Sequence, residues 1–404
     1  MLQIFNTLGK KMERFRPVDP ESVDVFTCGP SVYQGSHIGN FRTFLFEDIL
    51  IRYLEYSGFS GKRGMNFTDI EDKAFEEAKK RKTTVKDLTE KNIKHFLREM
   101  KLLRMKIPDY LPRASGAVDE AVEIIRELLR RKIAYWYQGN VYFDPLKYPR
   151  FGELYGLDMT RWPGKTMRFH KDTYPGMRWN LGDFVLWHGD KGESFTWDTP
   201  LGRGRPSWNL QDPSMILKEY HRTLSIYCGG IDNLVRHHDY ARAIIESVRP
   251  YPMAKYWLHC RHLLVGGKKM SKSKGNVYYV EDLLKDGYTP AEIRFFLIYG
   301  HYREELNYTR QKMQSTVQKL RGFKRSIKGI NHKSNQIFEV HPILLKKVKQ
   351  IFAEEIDDDL HVERAFDRLV DFVQEIQTET LPPQTAAGLI KGLREIDEVL
   401  KVIF

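Results

Sequence analysis

Short runs of β-branched and aromatic residues alternate with segments of helical periodicity along the first part of the chain. Val23–Phe26 predicts a strand, and apolar residues that recur at helical spacing between Ser36 and Gly58 predict a helix. Lys62–Phe67 predicts a second strand. Alternation of strands and helices is what a parallel sheet with crossover helices requires, so the sequence predicts an α/β fold.

The pattern changes between Tyr135 and Gly204, where Gly, Pro, Trp and Tyr are frequent and Asn140–Phe143 predicts a short strand. Helical patterns precede this stretch at Asp69–Arg81, Val85–Leu103 and Val118–Lys132. We interpret the stretch as an insertion within the sheet domain.

The α/β alternation returns after Trp208, and helical patterns continue to the end of the chain. Ser225–Tyr227 predicts a strand, Asp239–Val248 predicts a helix, and His262–Val265 leads to a Gly-Gly turn. The later helices are predicted at Thr289–Gly300, Gln311–Ile327, Pro342–Phe352, Val362–Ile376 and Gln384–Ile403. The predicted layout is a first half of the sheet domain (1–115), an insertion (116–204), a second half (205–280), a connecting helical region (281–330) and an all-helical bundle (331–404).

Charge and composition restrict the possible partners. The 404 residues include 65 Lys and Arg against 53 Asp and Glu, a formal charge of 65 − 53 = +12, which favours a polyanionic partner such as a nucleotide or nucleic acid. The segment Gln311–Lys349 is densely basic, with Glu339 as its one acid. Apolar runs are far shorter than the roughly 20 residues that cross a bilayer. Three unpaired cysteines favour a reducing compartment, so we expect a cytoplasmic monomer that does not bind membranes.

The tetrapeptide His37-Ile38-Gly39-Asn40 lies where a strand gives way to a helix. A phosphate at a helix N-terminus meets backbone N–H groups and the positive end of the helix dipole. His37 and Asn40 share one helical face and can donate to phosphate oxygens, whereas Gly39 leaves room for close approach. An ordinary helix cap is the competing interpretation.

A second motif, Lys269-Met270-Ser271-Lys272-Ser273, has Gly266-Gly267 before it and Gly275 after it. Two lysines on a glycine-flanked loop suit the neutralisation of charge on a leaving pyrophosphate. A solvated basic loop is the competing interpretation.

Together the two motifs resemble the signatures of the class I aminoacyl-tRNA synthetases, and the chain is most similar to the cysteinyl-tRNA synthetase family. Further matching segments follow that family's order: Phe26–Pro30, Ser36–Thr43 (SHIGNFRT), Asn66–Lys73 (NFTDIEDK), Asp183–Trp187, Gly204–Trp208, Gly229–Asp232 (GGID), His237-His238, Trp257–His259, Lys269–Asn276 (KMSKSKGN) and Gly300–Arg303.

The resemblance implies a Rossmann-type parallel sheet split by an insertion and followed by an all-helical C-terminal domain. It also implies amino-acid activation with ATP and Mg²⁺. His37, Asn40, Lys269 and Lys272 would be the catalytic residues. The other implied ATP contacts are Gly39, Gly229, Gly230, Asp232, Met270, Ser271 and Ser273. Thr68 and Trp208 match positions that shape the amino-acid pocket.

The sequence differs from the family pattern at the ligands of the family's zinc site. The resemblance implies four ligands, and the matching positions hold Cys28, Asp212, His237 and Ala241, so one Cys is replaced by Asp and the Glu is lost. An open site of three ligands and a substrate group is one interpretation. A metal-free pocket in which Asp212 pairs with an amino or hydroxyl group of the substrate is the second, and ordinary core packing of Cys28 and His237 is the third.

The acceptor is also left open by the sequence. The family's anticodon-binding extension has no counterpart here, which resembles the mycothiol-pathway cysteine ligase and favours a small amine acceptor. The basic segment Gln311–Lys349 favours the acceptor arm of a tRNA. A non-catalytic paralogue is a third hypothesis, and the two intact ATP signatures argue against it.

Overall fold

The structure is a computed structural model that describes residues 1–157, 183–192, 195–270, 275–334, 340–376 and 381–404. Its strands are β1 (Gln3–Asn6), β2 (Lys11–Arg14), β3 (Val25–Thr27), β4 (Arg63–Met65), β5 (Ala134–Tyr137), β6 (Asn140–Phe143), β7 (Phe184–Gly189), β8 (Trp197–Thr199), β9 (Gly202–Pro206), β10 (Leu224–Gly230), β11 (Ala254–Cys260), β12 (Leu263–Val265), β13 (Lys268–Lys269) and β14 (Leu306–Tyr308). Its α-helices are α1 (Ile38–Tyr56), α2 (Asp72–Lys80), α3 (Val85–Leu102), α4 (Val118–Arg130), α5 (Trp208–Glu219), α6 (Asp239–Val248), α7 (Val280–Lys285), α8 (Pro290–Ile298), α9 (Arg310–Ser334), α10 (Pro342–Ile356), α11 (Val362–Glu375) and α12 (Pro383–Leu400).

A four-stranded parallel sheet in the order β11-β10-β3-β4 forms the centre of the molecule. Strand β3 is buried along its whole length, as expected of a parallel strand covered on both faces. Helix α1 follows β3 and buries apolar side chains such as Phe41 and Leu45 in the core. The predicted α/β architecture is confirmed.

A separate antiparallel sheet is formed by the part of the chain that lies, in sequence, between strand β4 and strand β10 of the parallel sheet. Its strand order is β5-β6-β7-β9-β8, and it runs from Ala134 to Pro206. It packs on the second half through Phe184, whose ring stacks on Tyr240 of α6 with 4.0 Å between centroids. The change of composition after Tyr135 therefore coincides with a change of architecture, and the domain limits given above stay predictions.

Helices α8 to α12 form the C-terminal region, which is joined to the first half by the buried side chain of Arg294. Its Nη2 donates to Asp48 of α1 at 2.6 Å, and its other nitrogens donate to the carbonyls of Leu400 at 2.7 Å and Leu103 at 2.9 Å. Asp48 also accepts from Arg52 at 2.9 Å. One guanidinium thus links α8, α1, the end of α3 and α12.

Some elements differ from the sequence prediction. Helix α2 begins at Asp72 rather than Asp69, because the Asp69 carboxylate instead accepts from the backbone and hydroxyl of Ser115. Strand β11 and helix α5 carry no clear periodic signal, and α5 contains Pro213. None of the described helices combines the length and the apolar content that crossing a membrane requires.

We expect Arg294→Met to lower the free energy of unfolding by about 3–5 kcal/mol, because it removes the buried cation that pairs with Asp48 and takes a donor away from two buried carbonyls. Chemical denaturation measures this. Arg321→Met is the matched control. Arg321 pairs with Glu292 on the neighbouring helix at 2.6 Å, but its side chain is 55% exposed, so a loss below about 1 kcal/mol is expected. Equal losses in the two variants would contradict the assigned role of Arg294.

Candidate active site

A cleft of about 510 Å³ opens where the parallel strands end. The loops after β3 and β10, the first turn of α1, the start of α5 and the end of β13 form its walls. Many of the predicted site residues line it: His37, Asn40, Thr68, Lys269, Met270, Gly230, Asp232, Cys28, Trp208 and His237. Asp212 does not line the cleft, and Ser271, Lys272 and Ser273 lie outside the described residues. The structure therefore brings His37 and Asn40 of the first motif, Lys269 and Met270 of the second, and the group around Cys28 and His237 into one cavity.

His37 and Asn40 form a reciprocal cap at the start of α1. The backbone N–H of Asn40 donates to Nδ1 of His37 at 3.2 Å, and the backbone N–H of His37 donates to Oδ1 of Asn40 at 3.1 Å. Since Nδ1 accepts, the neutral ring carries its hydrogen on Nε2. The cap thus fixes both side chains at the cleft wall, and the capping and phosphate-binding interpretations are compatible.

Gly39 lies close to Met270 of the second motif. A Cβ at this position would lie 2.4 Å from Cε of Met270 and 3.0 Å from the ring of His37. A methyl group here would force the end of the Met270 side chain or the ring of His37 to shift. The glycine therefore allows Met270 and the capping ring of His37 to pack closely at this point.

Asp232 and Lys269 face one another across the end of the cleft that contains the first turn of α1. Nζ of Lys269 lies 3.8 Å from Oδ2 of Asp232, and each side chain is about half exposed. Asp232 follows the glycines at the end of β10, and Lys269 is held by β13, which pairs with β12. A carboxylate placed here can accept from ribose hydroxyls, and the lysine can reach phosphate.

At the opposite end of the cleft, Cys28, Asp212 and His237 come together. One ligand atom from each lies within 4.8 Å of the others, and all three residues are buried. Trp208 covers His237 in a stacked arrangement with 4.0 Å between ring centroids. Burial, and then the charge of Asp212, raise the pKa of the Cys28 thiol well above its ordinary value.

The Asp212 carboxylate is fully engaged by protein donors. Oδ2 accepts from the hydroxyl of Tyr227 at 2.6 Å and lies 3.0 Å from Nε2 of His237, whereas Oδ1 accepts from the Asn66 amide at 3.0 Å. The side chain is 0% exposed. A buried carboxylate needs such partners, and this one has three.

The residues present do not fit the four-ligand zinc site that the resemblance implies. Ala241, which is fully buried in α6, offers a methyl group where a carboxylate ligand is required. The imidazole nitrogen of His237 that faces the cluster lies against Asp212, which also holds hydrogen bonds from Asn66 and Tyr227. The donor set is a hydrogen-bonded group of one thiol, one imidazole and one carboxylate.

Three residues of this cluster were not among the predicted site residues. Asn66 bridges Asp212 and the backbone N–H of Gly29, which lies 2.7 Å from its Oδ1. Asn233 donates to Sγ of Cys28 at 3.4 Å, and Tyr227 donates to Asp212. The signal available in the sequence was their position at or just after a strand.

The family model described as tRNA synthetases class I (C) catalytic domain matches residues 14–318. The chain belongs to this family. It is therefore an ATP-dependent ligase of the class I synthetase type, which activates an amino acid and transfers it. The cysteine–tRNA ligase of Chlamydia muridarum is 36% identical over 422 residues, which cover 100% of this chain and 88% of that protein.

Two solved structures share the fold at low sequence identity. The LeuRS of Agrobacterium radiobacter K84, in a ternary complex with tRNA and LeuAMS, has a TM-score of 0.69 at 12% identity, and the match covers 96% of this chain and 85% of that one. The methionyl-tRNA synthetase of Mycobacterium tuberculosis, in complex with methionyl-adenylate, has a TM-score of 0.63 at 13% identity. This match covers 95% of this chain and 90% of that one. These matches support the predicted fold class.

We expect Gly39→Ala to slow ATP–pyrophosphate exchange by about 10–100-fold, since a misplacement of about 1 Å near the reacting groups can cost 10²-fold. The thermal midpoint should fall little. Gly322→Ala is the matched control, because it also changes a helical glycine, and no atom of the part of the chain that the structure describes lies within 4 Å of the new methyl. Normal exchange in Gly39→Ala would contradict the role assigned to the contact with Met270.

Proposed function

We propose that this chain activates a small amino acid with ATP and transfers the aminoacyl group to the 3′ end of a tRNA. The observation that supports this most is the single cleft lined by His37, Asn40 and Lys269 at one end and by Cys28 and His237 at the other. ATP and an amino acid bound side by side would have their reacting groups next to each other.

In the proposed reaction, a carboxylate oxygen of the amino acid attacks the α-phosphorus of ATP, which is bound as its Mg²⁺ complex. A bond forms between this oxygen and the α-phosphorus. The bond between the α-phosphorus and the oxygen that bridges to the β-phosphorus breaks, and pyrophosphate leaves. His37 and Asn40 would hold phosphate oxygens at the start of α1. Lys269 and Lys272 would stabilise the charge on the departing pyrophosphate.

The transfer step would use the adenylate as the activated acyl group. An acceptor hydroxyl attacks the carbonyl carbon and gives its proton to a phosphate oxygen of the adenylate, the mixed anhydride bond breaks, and AMP leaves. No protein nucleophile is required, because alignment of reactants and fixed electrostatics supply most of the rate enhancement. This agrees with a cleft whose thiol, Cys28, is buried and hydrogen-bonded.

Two basic surfaces support an RNA acceptor. The first is the basic segment Gln311–Lys349, which the sequence analysis singled out. Part of its charge is neutralised within the protein, because Lys319 pairs with Asp367 at 2.8 Å and Lys349 pairs with Glu395. The other surface, which the sequence analysis did not single out, is a stripe along one face of α3 formed by Lys91, Lys94, Arg98 and Lys101. We call these four residues the α3 stripe.

The α3 stripe is suited to a phosphate backbone. Its members are exposed, they recur at spacings of three, four and three residues, and among the described residues none of them has a salt bridge. Helix α3 adjoins the cleft, since Asn92 donates to the carbonyl of Val32 at 2.8 Å in the loop that leads to the site. An acceptor arm whose end enters the cleft would pass nearby.

The first test of the proposed function removes the loop lysines. We expect Lys269→Ala and Lys272→Ala each to slow ATP–pyrophosphate exchange by about 10²–10³-fold, as the loss of a donor to transition-state charge does. Lys268→Ala is the matched control, because it changes the neighbouring exposed lysine on β13. Exchange that is unchanged in both loop variants would refute the assignment of this loop.

The second test concerns the acceptor. Replacing all four residues of the α3 stripe by Gln should weaken tRNA binding, reduce the slope of log K against log salt by about 3–4, and leave exchange without tRNA unchanged. A control variant with the same charge loss carries Lys147→Gln, Lys191→Gln, Lys285→Gln and Lys391→Gln, at exposed lysines on four separate segments. Equal weakening in both variants would contradict a specific role of the stripe. Transfer to a small amine in the absence of tRNA would refute the RNA acceptor.

A further inference from the structure

We propose that the amino-acid end of the cleft is a metal-free hydrogen-bond network that selects a small, uncharged side chain and accepts thiol and hydroxyl groups alike. This inference rests on the proposed function and specifies its substrate class. In the metal-free interpretation of the sequence, Asp212 pairs directly with the substrate. In the network proposed here, Asp212 acts indirectly, through its protein partners.

The first step is that the departures from the family pattern compensate one another. Asp212 brings a negative charge into a site that is closed to water, and Ala241 removes the other carboxylate that the resemblance implies. Tyr227 lies on β10 and donates its hydroxyl to Asp212 at 2.6 Å. Together with Asn66 and His237, it satisfies the carboxylate without an ion.

The second step is that this carboxylate is not available to a ligand. Asp212 is 0% exposed and does not line the cleft, whereas Cys28 and His237 do. A metal ion or a substrate ammonium could reach it only by displacing protein donors, and the displaced hydroxyl of Tyr227 would be left buried without an acceptor. Asp212 is therefore a positioning residue that orients His237.

The third step is what a substrate side chain meets. The lining at this end includes the Cys28 thiol, the Thr68 hydroxyl and the stacked rings of Trp208 and His237. A charged side chain would find its potential counter-charge, Asp212, covered and already paired. The whole cleft measures about 510 Å³ and would be shared with ATP, which favours a small side chain.

The consequence is modest selectivity. Pockets that rely on shape and on a few hydrogen bonds separate near-isosteric side chains by roughly 10–200-fold. We therefore expect cysteine and serine to support ATP–pyrophosphate exchange with kcat/KM values within about 200-fold of one another. A metal that binds the substrate thiolate would give a far larger difference.

The deciding experiment measures the zinc content of the full chain purified without chelator, together with exchange on a panel of amino acids before and after treatment with a chelator. We expect zinc far below one ion per chain and exchange that the chelator does not change. One zinc per chain that survives dialysis, with cysteine strongly preferred and exchange lost on chelation, would overturn the inference and leave the proposed function standing. Failure of every amino acid to support exchange would refute the proposed function, while the zinc content would still test the inference.

Two sets of variants test the network itself. Asp212→Cys combined with Ala241→Glu restores the implied ligand set, and it should gain about one zinc per chain and a preference for cysteine over serine that the parent chain lacks. Tyr227→Phe should raise the KM for the amino acid about tenfold and leave the KM for ATP unchanged, because it removes only the donor to Asp212. Tyr220→Phe is its control, since that buried hydroxyl has no hydrogen-bond partner among the described residues. Equal effects of the two substitutions would contradict the assigned role of Tyr227.

Discussion

Parallel strands end at the same edge of their sheet, and the whole site depends on this constraint. Strand β3 ends just before Cys28, β4 just before Asn66, and β10 just before Asp232. The register Cys228↔Thr27 and Thr27↔Met65 places these strand ends side by side. Side chains far apart in the sequence therefore converge without a dedicated scaffold, and ligand sites in open parallel sheets commonly lie at this edge.

The start of α1 shows how one local structure serves stability and chemistry. A helix N-terminus leaves backbone N–H groups without intrahelical partners, and the reciprocal cap formed by His37 and Asn40 satisfies two backbone donors while it fixes both side chains. Gly39, between them, allows Met270 to lie against the helix. The motif is thus short and local, which is why the sequence alone could identify it.

Local patterns predicted much of the fold, including α1, α3, α4, α6 and the C-terminal helices. Strand β11 was missed because its sequence, Ala-Lys-Tyr-Trp-Leu-His-Cys, alternates poorly, and α5 was missed because Pro213 interrupts a helical pattern. The cluster around Asp212 could be predicted only in part. The family resemblance predicts Cys28, Asp212 and His237, whereas the partners Asn66 and Tyr227 are set by strand register, which no local pattern specifies.

The replacement of a thiolate by a carboxylate has a different cost with and without a metal. Bound to zinc, a thiolate is neutralised by the ion, and a carboxylate could serve as a ligand in its place. Without an ion, the buried charge of Asp212 has to be stabilised by donors from the protein, since an unpartnered carboxylate is too costly to bury. Tyr227 supplies such a donor from the adjacent strand β10, and Ala241 avoids a second buried charge. In the metal-free pocket that we propose, these three residues are therefore energetically coupled, and changing any one of them alone should destabilise the pocket more than changing them together.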